Sequence, residues 1–94
     1  MNVKSEDFVW LYEIEFPNVR KQIGDCQFSE NGNKMTELKA LRIFRHKDDS
    51  NVYLLYEFVN GGTDSYLESI EEAMREAERQ FGVKPEEWKK IACK

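Results

Sequence analysis

FVWLYEIEF, residues 8–16, decides the fold class. Its even positions are Phe8, Trp10, Tyr12, Ile14 and Phe16; its odd positions are Val9, Leu11, Glu13 and Glu15. Side chains two apart stand on one side of a pleated strand, so this pattern predicts a strand with one apolar face and a second face that turns polar partway. A helix reading competes, with Ser5 as N-cap and Phe8, Leu11 and Tyr12 on one stripe. The alternation holds across all nine residues, which favours the strand, and Pro17-Asn18 is expected to stop it.

The rest of the chain extends this β reading before turning helical. Residues 20–28 read weakly as a second strand, supported by the Asn31-Gly32 pair that follows, a dipeptide suited to the positive φ angles of a tight hairpin. A third strand is expected over 36–46, and Lys47 to Asn51 form a turn. VYLLYEFV, residues 52–59, is apolar at nearly every position and reads as a central strand, ended by Asn60-Gly61-Gly62. Ser69 with Glu72 three residues on fits a helix-capping box; Ser65 with Glu68 fits equally well. Ile70, Ala73, Met74, Ala77 and Phe81 then fall on one helical stripe. Gly82 suits the left-handed position after the last turn. Pro85 is placed to open a short helix over 85–91, with Glu86 and Glu87 at its positive end and Trp88 and Ile91 on one face. The expected fold is α+β: a single domain, 1–94, with an antiparallel sheet of about four strands covered on one face by the helix 69–81.

Ninety-four residues with a formal net charge of −4 make one small acidic domain. That charge repels a phosphate backbone and argues against nucleic acid as partner, and the short basic run Arg42, Arg45, His46, Lys47 offers at most a local anion patch. Glu6 and Asp7 fall where a signal-peptide core would begin, and no stretch approaches a membrane span, so the expected setting is cytoplasmic, away from membranes. Cys26 and Cys93 lack metal-site spacing and read as free thiols.

The series Ser69-Ile70-Glu71-Glu72-Ala73, Ala77, Phe81-Gly82-Val83 and Glu86-Glu87-Trp88 resembles the C-terminal ending of small, uncharacterised bacterial α+β proteins, some carried on mobile gene cassettes of integrons. The resemblance implies a sheet with a helical lid and a bacterial source. It brings no catalytic residues.

The candidates for chemistry are few. His46 beside Asp48 and Asp49 could sketch a metal site, but structural zinc wants four N or S ligands and two Asp are ordinary turn residues. A Cys–His nucleophile would pair His46 with Cys26, which reads as a small core residue, or with Cys93 near the chain end. Glu13 and Glu15 share a strand face and read as solvated. No glycine loop suits a phosphate. These readings point to a chain that is not an enzyme and needs no cofactor or metal.

If even positions of the first and last strands face the helix, the odd face gathers Val9, Leu11, Tyr53, Leu55 and Val59, joined by Leu41 and Ile43 and rimmed by Glu13, Glu15, Glu57 and Arg45. One helix covers only one face, so the other is an apolar patch, unless residues 20–28 or the N-terminus fold over it. The expected function is non-catalytic protein binding or self-association through that face, a homodimer being the leading form. A small amphipathic ligand held by the same residues, or an antitoxin- or immunity-type role against a basic partner, are the alternatives.

Overall fold

VYLLYEF, Val52–Phe58, behaves as its alternation dictates. Val52, Leu54, Tyr56 and Phe58 are buried, while Tyr53, Leu55 and Glu57 are half-buried on the opposite side. This strand lies inside one antiparallel sheet in the structure, a computed structural model that describes residues 8–91. The strands are β1 (Phe8–Lys21), β2 (Ser29–Glu30), β3 (Asn33–Lys34), β4 (Glu37–His46), β5 (Val52–Phe58), β6 (Gly61–Leu67) and β7 (Lys89–Lys90), with one helix, α1 (Ile70–Phe81). The main sheet runs β6-β5-β4-β1-β7, five strands rather than four, and β2 and β3 form a separate small ribbon. Cys93 and the Ser5 cap lie outside the described residues. Among the described residues, no helix is long and apolar enough to cross a membrane.

Three sequence expectations are corrected here. Pro17-Asn18 does not stop β1, which continues to Lys21. Proline removes a ladder donor, and it is tolerated because the pairing to β4 is irregular between Glu15 and Arg20, while β7 pairs on the other side only at Tyr12 and Glu13. Residues 22–28 form a loop, not a strand, and Cys26 within it is exposed rather than buried. The expected helix over 85–91 is one 3-10 turn, Pro85–Glu87, followed by β7. The Glu87 carboxylate accepts the Lys84 backbone N–H at 2.8 Å and both guanidinium nitrogens of Arg20 at 2.8 and 3.1 Å. Trp88 is then extended at φ −73°, ψ 136°, and the chain returns along β1, where the Ile91 N–H donates to Leu11 O at 3.0 Å. Arg20, followed by the Lys84 N–H, holds the Glu87 carboxyl below its ordinary range.

Local signals otherwise hold. Asn31 and Gly32 both have positive φ, 54° and 80°, and close the β2–β3 ribbon. Ser69 Oγ accepts the Glu72 N–H at 3.1 Å, and Gly82 closes α1 in the left-handed region with its N–H on Glu78 O.

The helix covers one face of the sheet. Ala73, Ala77 and Phe81, flanked by Ile70 and Met74, pack on Ile14, Leu41, Ile43, Leu54, Tyr56 and Phe58. Burying a side chain such as Phe81 contributes about 2–3 kcal/mol, and this layer is what the short chain has to fold around. Phe28 closes one end, its ring 4.7 Å from Tyr56 and 5.9 Å from Phe81. The loop before Phe28 is clamped by Gln80, a buried polar side chain that is 4% exposed. Gln80 Oε1 accepts from Gln22 Nε2 at 3.0 Å and from the Cys26 N–H at 3.1 Å; its backbone carbonyl accepts from Ile23 and Gly24. Residues 22–28 therefore seal the helix side and leave the opposite face of the sheet alone.

Candidate binding face

The face opposite α1 is set by a bulge. Trp10 pairs with Phe44 and Tyr12 with Ile43, so Leu11 is an extra residue in β1. The unbroken alternation of the sequence therefore changes sides midway: Phe8 and Trp10 stand on the outer face, whereas Tyr12 and Ile14 turn to the core. Leu11 and Tyr12 both pack against the core cluster.

Strand register then aligns rings across the outer face. Trp10, Phe44, Tyr53 and Tyr66 occupy paired positions on β1, β4, β5 and β6. Phe44 lies 4.7 Å from Trp10, 5.3 Å from Phe8 and 5.1 Å from Tyr53, and Tyr53 lies 4.8 Å from Tyr66. Offset or tilted ring pairs at such distances are each worth about 0.5–1.5 kcal/mol beyond area burial. Phe44 is buried in the middle, while Trp10 is 37% and Tyr66 51% exposed. The Tyr66 hydroxyl donates to the Asp49 carboxylate, which raises the phenol's pKa and, with the Asn51 N–H, lowers that of the carboxyl.

Next along the strands is an ionic patch. Arg42 stands between Glu13 on β1 and Leu55 on β5, and its guanidinium contacts Glu13 at 3.8 Å, Glu15 at 3.0 Å and Glu57. Asp64, opposite Leu55, adds a further carboxylate, and Lys89 stands opposite Glu13. Four carboxylates thus stand with Arg42, Lys39 and Lys89, and one negative charge is in excess. Beyond them a shallow depression of about 480 Å³ is walled by Phe16, Pro17, Val19 and Lys39.

The sequence had assembled a different set. Tyr53 and Leu55 do lie on the outer face, but Leu41 and Ile43 are wholly buried beneath the helix. Val9 and Arg45 pair with each other on the opposite side from Trp10 and Phe44, and Leu11 sits in the bulge. Arg45 Nη1 donates to the carbonyls of His46, Lys47 and Asp49, each at 3.3 Å, and buttresses the turn rather than a rim. Val59 lies in the turn after β5, 54% exposed. Sequence reasoning missed Phe44 and Tyr66 as outer-face residues and placed Phe8 and Trp10 on the wrong side. The alternation Arg42, Phe44, His46 in β4 carried the signal for Phe44; nothing local announced the bulge.

The sketched chemistry is not assembled. His46 Nδ1 accepts the Asp48 N–H at 3.3 Å and its ring packs edge-on to Phe8. The anion patch loses Arg42 to its three glutamates. Among the described residues, no group of three or more His, Cys, Asp or Glu is placed to hold a metal ion. Comparison with protein-family models, curated proteins and solved structures returns no match. The functional reading therefore rests on this face.

Proposed function

We propose that the chain is a non-catalytic protein-binding module that works through the outer face of its sheet. The observation that carries this reading is the aromatic row crossing four strands, with Trp10 and Tyr66 exposed at its two ends. Rings already fixed by their neighbours lose little entropy on contact, and aromatic side chains are the residue types that anchor protein interfaces. A second copy of the chain is the homotypic form of the same contact. The exposed, free Cys26 suits a reducing compartment and supports a cytoplasmic setting.

The test compares the wild-type protein with Leu55→Glu, placed beside Arg42 and Tyr53 without touching the core. Light scattering across protein concentration reads self-association, and co-purification from the source cells reads a heterologous complex. A complex lost in the variant, with melting behaviour unchanged, supports the proposal. A complex that survives in Leu55→Glu, or none in either measurement, overturns it. The depression beside Phe16 and Val19 favours one second reading, a small amphipathic ligand, which a rise in melting temperature across a ligand panel would register.

A further inference from the structure

The outer face is two-part, and its parts specify an occupant. We infer that it docks a basic amphipathic helix of a partner protein; the inference rests on the binding-face reading above and adds the chemistry of the partner. Three observations converge on it.

The first is architectural. α1 covers one side of the sheet with the stripe Ile70, Ala73, Met74, Ala77 and Phe81, and the other side has no such layer among the described residues. A sheet with apolar groups on both faces is completed by a second layer, and an amphipathic helix is the simplest element that supplies one.

The second is charge. The four outer-face carboxylates outnumber Arg42, Lys39 and Lys89 by one, and Glu15 is 73% exposed in its side chain although it touches Arg42. A second copy would bring the same excess of negative charge, whereas a segment with lysine or arginine would complement it.

The third is spacing. From Tyr53 in the aromatic row to Glu57 in the ionic patch is four strand residues on β5, about 13 Å along the strand. Two turns of helix, seven to eight residues, rise about 11–12 Å and return to the same side. A helix laid along the strands therefore sets an apolar side chain on the rings and, two turns on, a basic one among Glu15, Glu57 and Arg42. Arg42 gathers Glu13, Glu15 and Glu57 around one guanidinium, so these carboxylates are ordered before the partner arrives.

The experiment uses two tryptophan-free helical peptides of about sixteen residues, one with a leucine stripe flanked by lysines, the other with glutamate at every lysine position. Binding is read by Trp10 fluorescence, assigned with Trp10→Phe, and repeated at low and high salt. The lysine peptide is expected to bind at least about tenfold tighter than the glutamate peptide, and to weaken about fivefold or more as salt rises. Glu15→Lys should narrow or invert the preference while the melting curve stays put. Equal binding of both peptides overturns the basic-partner inference and leaves the binding face standing. Binding of neither overturns the inference, and the Leu55→Glu comparison then decides separately whether the face binds protein at all.

Discussion

Replacing Gly24 by alanine tests how the loop at residues 22–28 is held to α1. The Gly24 φ is not in the left-handed region, so the backbone accepts alanine. On backbone entropy alone the substitution would stabilise by about 0.4–1 kcal/mol. The added Cβ, however, would stand 2.3 Å from Gln80 Oε1 and 2.7 Å from its Cδ, too close for any real contact. The carboxamide must swing away, and that breaks the bonds from Gln22 Nε2 and the Cys26 N–H. Losing one hydrogen bond costs about 0.5–1.5 kcal/mol, and a donor left unmet in a partly buried site costs about 1–3 kcal/mol. The net expectation is a loss of about 1–3 kcal/mol, read as a lower urea midpoint at unchanged slope. Gln80→Ala removes both clashing atoms, so Gly24→Ala should cost far less in that background, where Arg79 O at 3.0 Å is the nearest of the three contacts to remain. The double-mutant cycle should return a coupling of at least about 1 kcal/mol. Gly24→Ala stabilising the wild-type protein, or a coupling near zero, would refute the clamp.

Two further outcomes follow from the core and the helix start. Burial pushes the Tyr56 hydroxyl up to about 12. Its neutral form is favoured in the folded state, so the corresponding stability is complete below pH 10, the unfolded value, and drains away between pH 10 and 12. The loss reaches about 2–3 kcal/mol from a two-unit shift. Urea melts across that range should show it, and Tyr56→Phe should remove most of the slope. Ser69→Ala deletes the N-cap acceptor for the Glu72 N–H and should cost about 1 kcal/mol, or about 4–8 °C in a thermal melt followed by circular dichroism.

What was legible in the sequence was local. The Asn31-Gly32 turn and the Gly82 stop each depend on a few adjacent residues and form as read; of the two cap candidates that fitted equally well, Ser69 is the one that caps α1. The alternation of Val52 to Phe58 was legible because no residue is inserted in β5 itself; the one irregularity in its pairing, at Lys39, falls on β4. β6 was hidden because GGTDSYL is small and polar; it is a strand because seven consecutive residues pair with β5. β7 is two lysines whose strand character comes entirely from the backbone of β1. The candidate face suffered most. Its composition turned on one inserted residue, Leu11, in a stretch whose alternation is perfect on paper, and a bulge is a choice made by the partner strand.

The pairing of β1 with β7 also sets a clock. Tyr12 and Glu13 wait for Lys90 and Lys89, so this flank of the sheet closes only after some seventy further residues have been added to β1. At about 5–20 residues per second, that is roughly 3–14 s during synthesis in which the flank of β1 stays open. Pairing across such a sequence separation forms more slowly than local contacts do. The proline-bearing second half of β1 is never covered by β7, and Pro17, which has no N–H to offer, makes that stretch a poor template for a stray strand both during the wait and after it.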